Sequence, residues 1–324
     1  MKIVYVVPWT DNLFLTEEPE APGCTFVRTY ENDHFVKQIS DAEGLVITGT
    51  DYTPTMASLI IENAHALRWI QSSSIGMDRF FDAGLPSGIL LSNAAGLKGR
   101  TVAEHAFTQI LSLFHRIPEF ERNRQNRAWR QQEMRDKVIS VEGKTIVIVG
   151  YGSIGQELAR KAHAFDMRVI AVSRKSLTND PWVEKFVPLD NFSEVLGEAD
   201  IIAPCVPLTD QTHNLIGANE LAQMKPSAYV INISRGAVVD ERALSTALTE
   251  GTIAGAGLDV YLKESEMLPK ESKVLWGADN VVLTPHIANA GGPGKQRLRQ
   301  LVFDNIAKLQ RGDPLINQIE TEIQ

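Results

Sequence analysis

Two cysteines, Cys24 and Cys205, are all that the 324 residues contain. Each lies in an apolar or loop stretch, so the chain offers no disulfide framework and no zinc-ligand spacing, no metal is expected, and the reducing cytoplasm is the expected compartment. Long hydrophobic runs are missing too: none approaches the roughly 18 residues of a membrane span. The opening 1–8, with one Lys and a β-branched run stopped by Pro8, reads as a first strand and not as a leader. Positive charge is in deficit, with 32 Lys and Arg against 40 Asp and Glu for a net charge of −8, which argues against nucleic acid or an anionic membrane as partner. No fixed-period repeat or low-complexity segment occurs, which excludes solenoids. What is present is 44% hydrophobic and 22% charged residues, a globular balance, over a length that suits about two domains.

The order of elements suggests their class. Short β-branched runs at 3–7, 45–48, 69–72 and 89–92 alternate with helical stretches, a small α/β unit. Thr101 and Glu104 read as a capping box opening one helix, whose apolar positions Val102, Ala106, Ile110, Leu113, Phe114 and Ile117 run to Pro118. Residues 116–137 carry seven basic and four acidic residues around Phe120 and Trp129 without strand-like alternation, an expected dimerisation arm. From Lys144 onward strands and helices alternate strictly: strands at 145–149, 168–172, 201–206, 229–233, 253–258 and 281–283, with helices from Ser153 and Asp240. That pattern means a doubly wound parallel sheet. A last helix, with Leu298, Leu301, Val302, Ile306 and Leu309, ends at Gly312 and Pro314 and can return to the first domain.

Gly150-Tyr151-Gly152-Ser153-Ile154-Gly155 stands directly between a strand and a helix, the context that separates a dinucleotide turn from a plain packing turn. The first glycine would allow the tight turn, the second a close approach of backbone to pyrophosphate, and the third tight packing of helix on strand, with the helix N-terminus facing the phosphates. The end of the next strand selects the cofactor. Ser173-Arg174-Lys175 stands where an acidic residue would hold a ribose 2′-hydroxyl, and a guanidinium, an ammonium and a hydroxyl suit a 2′-phosphate, so NADP(H) is favoured and NAD(H) is the alternative.

Ligands of open α/β sheets bind beyond the carboxyl ends of the strands. Arg235 follows the run 229–233, Glu264 lies five residues past Asp259, and His286 follows Leu283 in Thr284-Pro285-His286. Each also has a bland reading: an ion pair, a loop charge, a cap. Together with the Val206-Pro207-Leu208-Thr209 segment and Thr212, the blocks 232–236 and 239–241, and Leu258-Asp259-Val260, they resemble the D-isomer-specific 2-hydroxyacid dehydrogenase family over nearly the whole chain, and most closely its NADPH-dependent glyoxylate and hydroxypyruvate reductases. The resemblance implies two Rossmann-like domains, the nucleotide-binding one (100–290, with the arm near 116–140) inserted into a flavodoxin-like substrate-binding one (1–99 and 291–324), and an active site in the cleft between them.

The chemistry so implied is hydride transfer between a nicotinamide and the 2-carbon of a small 2-oxo or 2-hydroxy acid. His286 would be the acid/base, and a carboxylate at Glu264 would favour the charged imidazole and fix its orientation. Arg235 would clamp the substrate carboxylate and polarise the carbonyl. The resemblance further implies substrate contact at the backbone of Ile75 and Gly76, and cofactor contacts at Gly150, Gly152, Ser153, Ile154, Gly155, Val206, Pro207, Ile233, Arg235, Asp259, His286 and Ala288. Trp129 would reach the partner's active site or serve a homodimer core. His34, His65, His105, His115, His163 and His213, without an evident carboxylate partner at a strand end, read as structural or solvated.

Gly49 stands where phosphoglycerate-type members usually carry an arginine, which speaks against that substrate, and Glu264-Ser265 replaces the family's common Glu-Pro. The alternatives are phosphoglycerate or a bulkier 2-oxo acid, a formate- or phosphite-type dehydrogenase, and a non-enzymatic NAD(H)-sensing protein of the same fold.

Overall fold

The computed structural model describes residues 1–6, 21–29, 32–174, 180–262, 273–278 and 280–320. The chain divides into two compact units, Met1–Lys98 with Gly291–Gln324, and Gly99–Ala290.

The first unit opens with five parallel strands, β1 (Lys2–Val6), β2 (Thr25–Arg28), β3 (Gly44–Ile47), β4 (Trp69–Ser72) and β5 (Leu90–Ser92), in the spatial order β5-β4-β3-β1-β2. Side chains alternate with the two-residue period of a strand. Ile3, Tyr5, Val46 and Trp69 enter the core of one face, while Val4, Leu45, Ile47 and Ile70 enter the other with Phe35, Ile60 and Phe80 from flanking helices. Both faces are covered, which is why β3 and β4 are buried along their whole length. β2 falls outside the strands expected from sequence, because only Phe26 of its four residues is buried and an edge strand of that kind carries little apolar signal.

The second unit holds seven parallel strands, β6 (Thr145–Val149), β7 (Arg168–Ser173), β8 (Lys185–Pro188), β9 (Ile201–Pro204), β10 (Tyr229–Asn232), β11 (Gly255–Leu258) and β12 (Val281–Leu283), in the order β12-β11-β10-β9-β6-β7-β8. The order reverses between β6 and β9, where doubly wound sheets open a crevice at their carboxyl edge. Ile146 and Ile148 face Val102, Ala106, Ile110, Leu158 and Ala162 of two helices, whereas Val147 and Val149 face Leu196, Leu221 and Leu244 on the opposite side. Helices therefore cover both faces, the doubly wound α/β class expected from the sequence.

Several strands end a residue or two away from their expected bounds, as in Ile201–Pro204 and Gly255–Leu258, and both ends of the helix expected from Thr101 differ. The helix expected from Thr101 spans Gly99–Phe114, so Thr101 lies inside its first turn and is not a cap. Residue 99 at that start must be glycine, because a Cβ there would lie 2.8 Å from the Ser153 carbonyl oxygen. The helix also stops before Pro118: Arg116 turns left-handed at φ 55°, and Pro118 sits in the first turn of a new helix, Ile117–Gln125. Proline suits that first turn, where its missing N–H has no intrahelical partner to lose.

After the second unit the chain re-enters the first with the helix Gly294–Arg311, closed by Gly312 at φ 74°, and β13 (Gln318–Ile319), antiparallel to β5. Leu298, Val302 and Ile306 cover Ile3, Tyr5 and Trp69. A buried polar chain fixes the docking: Trp69 Nε1 donates to Ser92 Oγ at 2.8 Å, Ser92 Oγ to Gln71 Oε1 at 2.7 Å, and Asn305 Nδ2 to the same Oε1 at 3.0 Å.

Candidate active site

β6 ends in the glycine turn, and the three glycines have separable reasons. Gly150 has φ 101°, and a Cβ there would lie 2.7 Å from the Cys205 carbonyl oxygen, so both conformation and space require glycine. A Cβ at Gly155 would run into the Gly150 carbonyl, which sets how closely the helix Ser153–Ala164 can approach the turn. Gly152 differs: nothing lies within 4 Å of its Cβ position, so its glycine leaves the backbone uncovered instead of avoiding a clash. The helix N-terminus follows at once, with Gly152 as a cap that has no side chain, and the N–H groups of Ser153 and Ile154 lack helical acceptors. An open backbone ahead of unsatisfied N–H groups fits the pyrophosphate of a dinucleotide.

The turn is tied to both neighbouring strands. Gly150 N donates to Val172 O of β7 at 2.8 Å, and Cys205 N to Val149 O at 2.6 Å. Ser173 ends β7 half-buried, Arg174 follows it exposed, and Lys175 lies outside the described residues. Beyond β9, Val206 is half-buried and Pro207 exposed, and the buried Thr212 hydroxyl donates to the Pro207 carbonyl at 2.7 Å. Burial, and next the Asp180 carboxylate, push the Tyr151 phenol above its ordinary value.

The other polar candidates stand at the ends of β10, β11 and β12. Asn232 pairs with Leu258, and Leu258 with Leu283, so Arg235, Asp259 and His286 follow three adjoining strands at the same edge. Arg235 is half-buried, its Nη1 donating to the Ser234 carbonyl at 2.8 Å. Asn232 shapes that turn by donating to the Arg235 carbonyl at 2.9 Å. A Cβ at Gly236 would overlap the Tyr261–Leu262 backbone, so glycine lets the segments after β10 and β11 touch. Ile233 and Ala288 are buried, His286 is exposed at φ 51°, and Glu264 lies outside the described residues.

Asp259, 1% exposed, is a hub. Its Oδ1 accepts the Thr284 hydroxyl at 2.6 Å and Ile287 N at 2.9 Å, and its Oδ2 accepts Ala288 N at 2.9 Å. His105 Nε2 lies 3.5 Å from Oδ1 and 2.9 Å from Thr284 Oγ1. This corrects the expectation that His105 lacks a carboxylate partner at a strand end. With Gln109, one turn further along the same helix, it forms a polar pair on an otherwise apolar face, and that interruption is the signal a sequence reading could have used.

In the first unit, the loop after β4 is held from below. Ser74 N donates to Ser72 Oγ at 3.0 Å, Ala94 N to Ser74 O at 3.0 Å and Asn93 Nδ2 to Ile75 O at 2.9 Å. The N–H groups of Ile75 and Gly76 donate to nothing among the described residues, which leaves two adjacent donors able to bind an anion. Gly49 N donates to Ser74 Oγ at 3.0 Å, and a Cβ at residue 49 would stand 3.2 Å from that oxygen.

Comparison with known proteins agrees with this geometry. Residues 107–288 match the family model described as D-isomer specific 2-hydroxyacid dehydrogenase, NAD binding domain. The chain is 34% identical to a glyoxylate reductase of Thermococcus litoralis over 296 residues, 89% of this chain and 86% of that one. Among solved structures it is similar to a D-isomer specific 2-hydroxyacid dehydrogenase family protein of Aeromonas salmonicida, with a TM-score of 0.84 and 28% identity over 98% of both chains. An NAD-complexed D-isomer specific 2-hydroxyacid dehydrogenase of Lactobacillus delbrueckii gives 0.79 at 25% identity, covering 99% of this chain and 100% of that one. A reversing parallel sheet, a glycine turn cut for a dinucleotide and a family match spanning both make one statement: this chain belongs to the D-isomer-specific 2-hydroxyacid dehydrogenases.

Proposed function

We propose that the protein reduces a small 2-oxo acid, glyoxylate or hydroxypyruvate in size, to the D-2-hydroxy acid with NADPH as the preferred reductant. The observation that carries the reading is the register of β10, β11 and β12, which ends three adjoining strands in Arg235, Asp259 and His286. The similarity to a glyoxylate reductase supports the substrate size, and Gly49 leaves its position without a cation for a phosphorylated substrate.

When bound, the nicotinamide supplies the hydride. Gly150, Gly152, Ser153, Ile154 and Gly155 hold the pyrophosphate by backbone. Ser173, Arg174 and Lys175 hold the 2′-phosphate, and Val206, Pro207, Ile233, Asp259 and Ala288 flank the rest of the cofactor. Arg235 takes the substrate carboxylate in its planar fork and draws charge toward the carbonyl oxygen. His286 gives its proton to that oxygen as negative charge develops there, with Glu264 orienting the imidazole. The N–H groups of Ile75 and Gly76 are proposed as further donors to the substrate carboxylate. The same reading makes the protein a cytoplasmic homodimer formed through 116–140, a segment in which Trp129 is 88% exposed.

Initial rates with glyoxylate and hydroxypyruvate, each with NADPH and NADH, test substrate and cofactor together. Faster NADPH oxidation is the expected result. Faster NADH oxidation would overturn the role given to Ser173, Arg174 and Lys175, and turnover only with longer 2-oxo acids would overturn the substrate size.

A further inference from the structure

The proton inventory around Thr284 leaves one consistent arrangement. Its hydroxyl carries a single hydrogen, and the 2.6 Å contact commits that hydrogen to Asp259 Oδ1. Toward His105 Nε2 at 2.9 Å and Gln109 Nε2 at 3.0 Å the hydroxyl oxygen must therefore accept. His105 accordingly carries a proton on Nε2, and the 3.4 Å approach of Gln109 Nε2 sets two donors side by side on one oxygen instead of bonding them to each other. Gly257 of β11 makes room for the pair: a Cβ there would lie 2.8 Å from Gln109 Oε1.

Asp259 relays this order to the backbone. Its two oxygens hold Ile287 N and Ala288 N, the residues directly after His286, and Thr284 O accepts His286 N at 3.1 Å. Such restraint has a reason, because His286 sits at φ 51°, a left-handed conformation that a side-chain-bearing residue keeps only when its surroundings impose it. The only hydrogen-bond donors to the Thr284 hydroxyl among the described residues come from His105 and Gln109, 179 and 175 positions away in sequence.

We propose that His105 is a positioning residue for the reaction: through the Thr284 hydroxyl and the Asp259 carboxylate it fixes the backbone of 286–288, and with it the direction in which His286 delivers its proton. The proposal rests on the reading of His286 as the acid/base. A donor at the Nε2 position is what the network requires, so glutamine at 105 restores it and phenylalanine does not.

The test compares His105→Phe, His105→Gln, His286→Ala and the His105→Phe/His286→Ala double variant in steady-state reduction of glyoxylate, with the cofactor dissociation constant, thermal midpoint and amide hydrogen exchange measured in parallel. His105→Phe should lower kcat about 10- to 100-fold, the cost of misplacing a reacting group by a fraction of an ångström to an ångström. Cofactor affinity should fall far less than kcat, the thermal midpoint should hold, the amides of Ile287 and Ala288 should lose exchange protection, and His105→Gln should recover most of the rate. In the His286→Ala background the Phe substitution should have no further effect, since both act on one step.

Wild-type kcat in His105→Phe alongside an inactive His286→Ala would overturn the role of His105 alone. Full turnover in His286→Ala would overturn the acid assignment and the positioning role with it. Equal losses in the Phe and Gln variants, or losses that add in the double variant, would also overturn the proposal. Should His105→Phe not fold, Thr284→Val against Thr284→Ser asks the same question: loss with valine and recovery with serine supports the relay, and equal rates in the two overturn it.

Discussion

Asn232 uses both ends of its side chain on the turn that carries Arg235: Nδ2 donates to the Arg235 carbonyl at 2.9 Å, and Oδ1 accepts the Ser234 N–H at 3.1 Å and hydroxyl at 3.0 Å. At 1% exposure no water replaces these bonds. Asn232→Ala should therefore destabilise the protein by about 1–3 kcal/mol, the cost of stranding buried polar groups. By loosening Arg235 it should also raise the KM for the 2-oxo acid more than the KM for the cofactor. Denaturant unfolding and initial rates check the two halves separately, and equal rises in both KM values would contradict the aim given to Arg235.

Gly152 and Gly155 should respond in opposite ways. An alanine at 152 meets open space, so its effect falls on the ligand: cofactor affinity should drop by about 10-fold or more, about 1.4 kcal/mol, with the thermal midpoint unchanged. Alanine at 155 meets the Gly150 carbonyl and should cost about 1–3 kcal/mol of stability even without cofactor. Calorimetry with and without NADPH distinguishes the two.

Arg174 is the described cation at the end of β7. Arg174→Ala should raise the KM for NADPH by about 10- to 100-fold, the worth of a hydrogen bond between charged groups, and leave the KM for NADH where it was. A uniform effect on both cofactors would assign Arg174 to the pyrophosphate or to solvent.

Tyr52 lends the first unit a pH dependence. Its ring stacks on Phe80 at 4.2 Å, its hydroxyl donates to Gly84 O at 2.8 Å, and burial pushes its ionisation from 10.0 up to about 12. Burial disfavours the phenolate, so the stability the neutral phenol contributes is whole below pH 10.0 and is lost as pH rises toward 12. Tyr52→Phe should flatten that alkaline loss while giving up about 1 kcal/mol at neutral pH. Urea unfolding at stepped pH checks it, and parallel curves for the two proteins would contradict it.

How much of this was legible depended on the range of the signal. β4, β6 and β12 coincide with their apolar runs because those runs are nearly unbroken, and Arg235 and His286 stood out by following such runs. β2 and β8 escaped because polar residues or proline flank their short apolar cores, Thr25 and Arg28 in one and Lys185 and Pro188 in the other, whereas the edge strand β12 is an unbroken apolar run. The Asp259 hub escaped for another reason. Its neighbours His105 and Gln109 come from a helix more than 170 residues from Thr284, and nothing local in either segment reports the other. The Thr101 capping box was misleading because the pattern of hydroxyl and carboxylate was present although the helix begins two residues earlier, at Gly99.

On the ribosome, Gln71 emerges 234 residues ahead of Asn305, the partner that closes the buried polar chain of the first unit. Until then Ile3, Tyr5, Val46 and Trp69 lack the helix that covers them, while all of 99–290 is synthesised and free to fold as its own unit. The order of birth is thus the reverse of the order of completion: the segment started second finishes first, and the nascent first sheet waits with one apolar face bare. A newly made chain stalled before residue 294 should accordingly hold a native second unit and be the form that chaperones retain.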